Sequence, residues 1–138
     1  MDLIKLSANE ALKMMKEDSL SSEEYVKAFL EQIELRENEV GAWIFLYPKL
    51  ALDQAREADK RWKDKTAGKL NGLPIGIKDI IDTKDMPTEN GSQLCKDRKP
   101  SKDAHLVKLL RNEGAVILGK CVTTEFALSG PGLSLIHI

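Results

Sequence analysis

Apolar residues recur at helical spacing through the first half of the chain and in short, nearly unbroken runs through the second. Ala8, Ala11, Leu12 and Met15 lie three and four positions apart and predict a first helix. Ser7 opens it with Glu10 three residues on, the pattern of a capping box. Asp18-Ser19 breaks the stripe. A second helix begins near Ser21 or Ser22, where Glu23 and Glu24 suit the positive end of the helix dipole. Its inward face is Tyr25, Val26, Phe29, Leu30 and Ile33, and it stops around Asn38. Residues 42–47 are an aromatic and β-branched run that predicts a strand. Pro48 suits the first turn of a third helix, with Ala51, Leu52, Ala55, Ala58 and Trp62 as its stripe.

The second half changes character. Residues 73–81 predict a strand with its proline near the start. A long loop rich in turn formers follows, through Asp82, Asp85, Pro87, Asn90-Gly91 and Pro100. Asp103 is the expected N-cap of a helix through Asn112, with Leu106, Val107, Leu109 and Leu110 inward and Gly114 as the left-handed C′ residue. Residues 115–118 read as a strand buried on both faces. Strand, helix and strand make one right-handed parallel βαβ unit, so the fold class is α/β. Thr123 or Thr124 is expected to cap a further short helix.

Composition narrows the function. The 138 residues suffice for one ordinary domain. Net charge is −1, with 12 Lys/Arg against 14 Asp/Glu in residues 1–70 and 9 against 8 in residues 71–138. That balance lacks the broad basic field of a nucleic-acid binder. Cys95 and Cys121 form no Cys-x-x-Cys pair, and His105 and His137 are the only histidines, so neither a metal site nor a Ser-His-Asp triad is expected. No apolar run is long enough to span a bilayer, and the first residues lack a signal-peptide pattern. The expectation is a cytoplasmic protein with free thiols, no cofactor, and no membrane or nucleic-acid partner.

Short motifs are mostly explained by local structure. Gly114 and Gly119-Lys120 have the spacing of a phosphate-binding loop, but Cys121 stands where Ser or Thr should hold magnesium. The four residues between are apolar and belong in a sheet, whereas a phosphate cradle needs free backbone N–H groups. Asn90-Gly91-Ser92 reads as a turn, and the basic stretch 96–102 as a solvated loop. Lys78 is different. It sits near the C-terminal end of a predicted βαβ strand, where ligands bind in open α/β sheets. Flanked by Ile77 and Ile80, it would lose hydration and basicity and could serve as a base. The alternative is a lysine that snorkels or pairs with Asp79 or Asp82.

A longer pattern bears on that choice. Leu70-Asn71-Gly72-Leu73-Pro74-Ile75-Gly76-Ile77-Lys78-Asp79 resembles the N-terminal signature of the amidase-signature family of amide hydrolases. The likeness continues through Met86-Pro87-Thr88-Glu89-Asn90-Gly91-Ser92, Asp103-Ala104 and Leu109-Leu110-Arg111. It ends with Glu113-Gly114-Ala115-Val116-Ile117-Leu118-Gly119-Lys120 and Thr124-Glu125-Phe126-Ala127. The resemblance implies a mixed β-sheet core covered by helices on both sides. It implies amide-bond cleavage by a Ser–cis-Ser–Lys triad, in which one serine attacks, the second relays a proton and the lysine acts as base and then acid. Lys78 matches that lysine, with Asp79 and Ser92 as candidates to support it, and a small-molecule amide would be the substrate.

The departures carry expectations too. No Gly-Gly-Ser-Ser-Gly-like run is present, and neither Ser92 nor Ser129 matches the nucleophile or the relay serine. Residues 1–132 are therefore expected to be the N-terminal portion of an amidase-signature domain, inactive alone, and residues 133–138 a non-native tail. A non-catalytic α/β binding module derived from such an N-terminus is the alternative. The strands at 75–81 and 115–118 should then have unpaired edges and uncovered faces. Asp85, Glu89-Asn90 and Cys121-Val122-Thr123 depart from commoner residues and argue against the glutamyl-tRNA amidotransferase branch of the family.

Overall fold

Two capping boxes start the helical half of the computed structural model, which describes residues 2–128. Ser7 and Glu10 cap α1 (Ala8–Lys16), and Ser21 and Glu24 cap α2 (Ser22–Val40). Each box satisfies backbone N–H groups that the first turn leaves without a partner. The start of α2 is held from outside as well, because the Asp59 carboxylate accepts from Ser22 N at 2.6 Å and Glu23 N at 3.2 Å. Gly41, at φ 60°, ends α2 in the left-handed conformation. Strand β1 (Trp43–Leu46) follows, and then α3 (Pro48–Lys63) with proline in its first turn.

The expected βαβ unit is present as β2 (Pro74–Lys78), α4 (His105–Asn112) and β3 (Val116–Cys121), with β2 and β3 parallel. Strand β1 pairs antiparallel on the other side of β3, giving a mixed sheet of order β1-β3-β2. On one face, Val116 and Leu118 pack with Val26, Ala51 and Ala55 of α2 and α3. On the other, Ile117 packs with Ile77, Met86 and Val107. A third cluster, Ala11, Met15, Leu20, Tyr25 and Leu73, joins α1 and α2 to the start of β2.

Several expectations need correction. Strand β3 is central, not an edge: both its sides are paired, and Val116, Ile117 and Leu118 are covered on both faces. Among the described residues, the edges without a partner strand belong to β1 and β2. The N-cap of α4 is Ala104, not Asp103, and no side chain caps it. The Asp103 carboxylate instead accepts from Lys84 N at 2.8 Å and lies 3.3 Å from Arg111 Nε, charge-assisted contacts that outcompete a local cap. Of the four apolar residues assigned to the inner face of α4, Val107 is buried and Leu110 partly so, whereas Leu106 and Leu109 are about half exposed. The helix has one narrow buried stripe because a single layer covers it. Strand β2 ends at Lys78, three residues early, where Asp79 takes its backbone into the loop. The predicted Thr124 cap precedes only a 3₁₀ turn, Glu125–Ala127, and its side chain makes no cap hydrogen bond. Ser129 and the tail at 133–138 lie outside the described residues.

Register decides which side chains share a face. Ile75 pairs with Ile117, but Gly76 pairs with Gly119 and Ile77 with Lys120, so β3 carries a bulge at Leu118. The bulge turns Lys120 to the same closed face as Ile117 and Ile77. Lys78 pairs with Cys121 and shares the opposite face with Gly76, where a side chain at Gly76 would strike Cys121 Sγ and the Trp43 ring.

Candidate functional site

The loop after β2 returns across the C-terminal ends of β2 and β3 and encloses a cavity of about 470 Å³. Asp79, Glu89, Gly91 and Ser92 line it from one side, and Thr123 and Glu125 from the other. Asp79 is 1 % exposed and organises the wall. Its N–H donates to Cys121 O at 2.9 Å, its carbonyl accepts from Asn90 N at 2.9 Å, and its carboxylate accepts from Glu89 N at 3.2 Å and Gly91 N at 3.3 Å. Asn90 and Gly91 both adopt positive φ, 56° and 64°, which the Asn-Gly pair tolerates and which tightens the turn.

Ser92 is buried. Its hydroxyl donates to Glu125 Oε1 at 2.6 Å and accepts from Leu94 N, capping the 3₁₀ turn Gln93–Cys95. Phe126 N donates to Asn90 O at 2.8 Å, so the 89–95 loop and the segment after β3 are tied twice. Phe126 and Ala127 both have positive φ, a strained conformation for non-glycine residues. The Thr123 hydroxyl, also at the cavity, is buried without a partner among the described residues.

Lys78 stands at the end of β2, as expected, but it is exposed. The flanking isoleucines do not dehydrate it, because Ile77 faces the closed side and Ile80 is itself 39 % exposed. Nor does Lys78 pair with either aspartate. Asp82 is held by Arg98, whose guanidinium pulls its carboxyl below the ordinary range, and Asp79 lies beside a different lysine. Among the described residues the Lys78 amine has no hydrogen bond or ion pair, and it does not line the cavity. The structure thus brings Asp79 and Ser92 together and leaves Lys78 beside them.

The lysine that is buried is Lys120, 0 % exposed. Its Nζ donates to Ile81 O at 2.8 Å, Pro87 O at 3.3 Å and Thr88 Oγ1 at 2.5 Å, and lies 3.6 Å from Asp79 Oδ1. Burial pushes its basicity below that of an ordinary lysine, against the opposing pull of Asp79. In the sequence Lys120 belongs to a rejected phosphate motif and to the string that resembles the amidase-signature family, and neither gives it a role of its own. Its place inside β3 upholds that rejection, and the bulge that turns it inward is marked in the sequence only by Gly119, a glycine within a strand run.

The cavity lies at the C-terminal ends of the parallel strands, the place where ligands bind in open α/β sheets. Comparison with known proteins gives the family: the chain belongs to the amidase family, whose model matches residues 24–134. It is 40 % identical over 127 residues to the A subunit of the glutamyl-tRNA(Gln) amidotransferase of Dehalococcoides mccartyi, covering 92 % of this chain and 26 % of that protein. Identity to the Clostridium botulinum counterpart is 37 % over 129 residues, or 93 % and 27 %. The native peptide amidase of Stenotrophomonas maltophilia superposes with a TM-score of 0.81 at 32 % identity, over 88 % of this chain and 26 % of that one. A fatty acid amide hydrolase superposes with a TM-score of 0.82 at 29 % identity, over 88 % and 22 %. The chain spans about a quarter of the length of these relatives. The departures at Asp85, Glu89-Asn90 and Cys121-Val122-Thr123 do not keep it away from the amidotransferases, which are among its similar proteins. Among the described residues, no helix is long and apolar enough to cross a membrane.

Proposed function

We propose that this chain is the lysine-bearing portion of an amide hydrolase working by Ser–cis-Ser–Lys acyl transfer. The observation that carries the reading is Lys78 in Gly76-Ile77-Lys78-Asp79, at the end of a parallel strand, within a stretch that matches the amidase family. In that chemistry a serine oxygen attacks the amide carbonyl, and its proton passes through the second serine to the neutral lysine amine. The lysine then returns a proton to the leaving nitrogen, and water later frees the acyl group. An amine with no hydrogen bond or ion pair among the described residues is sterically available to take that proton. The two serines and the oxyanion donors would come from outside residues 1–138. The substrate would be a small-molecule amide and the compartment the cytoplasm.

Without a nucleophile Lys78 has nothing to deprotonate, so the 138-residue chain is expected to be inactive. The test compares this chain with the product of its source gene read onward from Gly132, against glutamine, a peptide amide, an aryl amide and a fatty amide. Turnover only in the longer product, lost in Lys78→Met, is the expected result. Turnover that survives Lys78→Met overturns the assignment of the base. A frame that ends after Ile138, with a folded product that binds a defined ligand, favours the non-catalytic module.

A further inference from the structure

We propose that Lys120 is a positioning residue. From the closed face of the sheet, and through Asp79, its ammonium makes the strand end that presents Lys78 and the 88–91 wall of the cavity one rigid unit. The proposal builds on the reading of Lys78 as the base.

The site around Lys120 is complete. An ammonium has three hydrogens, and three oxygens take them: Ile81 O, Pro87 O and Thr88 Oγ1. The Asp79 carboxylate, 3.6 Å away, balances the charge. A fully buried ion pair is a poor way to add stability, since apolar residues of like volume often do as well. What this pair does is geometric. Its partners all lie on the segment that leaves β2 and returns as the cavity wall. Asp79 in turn holds Glu89 N and Gly91 N, and Asn90 N bonds its carbonyl. The backbone is thereby pinned just after Lys78, and Ile77 in the core pins it just before. Strand alternation leaves the Lys78 side chain on the opposite face, free of that network. A base must be held at its backbone while its amine stays available, and this arrangement does both.

The first test uses this chain and residue-resolved amide exchange in the native state. In Lys120→Met the amides of Asp79, Asn90 and Gly91 should accelerate about 10-fold or more beyond Val116 and the amides of α3, whose own acceleration reports the loss of global stability. Thr88→Val, which removes one acceptor and keeps the shape, should give the same local pattern more weakly, so failure of Lys120→Met to fold would still leave a decisive variant. Acceleration spread evenly over β3 and α3, or none at all, overturns the proposal. The second test uses the gene product read onward from Gly132. Lys120→Met should lower kcat about 10-fold or more with KM within about 2-fold, because substrate contacts persist and the base is misplaced. A fall in kcat that only tracks the folded fraction overturns it. Activity retained by Lys78→Met would instead remove the reading of the base, and the exchange pattern would still decide whether Lys120 fixes the strand end and wall.

Discussion

Replacing Lys120 by Met tests the energetics of the buried pair directly. Methionine fills most of the lysine stem, so the change leaves little cavity. What it leaves is charge. The Asp79 carboxylate, 1 % exposed, would keep only the long bonds from Glu89 N at 3.2 Å and Gly91 N at 3.3 Å, and the carbonyls of Ile81 and Pro87 would lose their donor. Removing one partner of a buried ion pair costs about 3–5 kcal/mol, against a total of about 5–15 kcal/mol for a domain. That should lower the thermal midpoint by about 10–20 °C. The double variant Asp79→Asn/Lys120→Met removes both charges and should recover at least about 2 kcal/mol of the loss. The assay is urea unfolding followed by circular dichroism and by the fluorescence of Trp43 and Trp62, with the midpoints compared at equal slope. A single variant within about 1 kcal/mol of the parent, or a double variant that sums the two single losses, would refute the reasoning.

Other outcomes follow from single features. Gly119→Ala should cost about 1–3 kcal/mol in chemical unfolding, because its Cβ would meet the backbone of Phe45 and Leu46 and force β1 away from β3. Lys78→Ala should leave the unfolding midpoint within about 0.5 kcal/mol, since the side chain is exposed and unpaired, while kcat of an active longer product should fall about 10²–10⁴-fold. Asp82 has its folded pKa depressed by Arg98, so the native state binds fewer protons than the unfolded one just below the ordinary aspartate range, and that stabilisation is lost as pH falls through the folded value. The difference between the parent and Arg98→Met in acid titrations should therefore narrow as pH falls, down to the pH-independent loss of the Arg98 bond to Thr88 O, and a difference that does not narrow would count against the pair. With β1 and β2 each lacking an outer partner strand among the described residues and Leu94, Leu106 and Leu109 exposed, sedimentation should show concentration-dependent association; one monomeric species up to high concentration would contradict that.

Much of the fold was legible because it depends on neighbours in sequence. Both capping boxes, the proline start of α3, the C′ glycine after α4 and the βαβ order rest on residues within a few positions of one another. The errors fall where a distant residue competes. Asp103 reads as a helix cap until Arg111 and the Lys84 amide claim it. The 115–118 run reads as an edge until β1 arrives from some seventy positions upstream to pair with it.

The site divides in the same way. The resemblance to a family motif, which is a local string, singled out Lys78, Asp79 and Ser92 and pointed to the amide hydrolases. Residue types and spacing could not tell which lysine is buried. Lys78, between isoleucines, looked the more dehydrated, yet the strand end leaves it in solvent. Lys120, in an apolar run, is enclosed because a one-residue bulge in β3 turns it toward the 81–88 segment and Asp79. Burial of a charge depends on what closes over it, and here those groups come from residues more than thirty positions away. Only the tertiary structure brings them together.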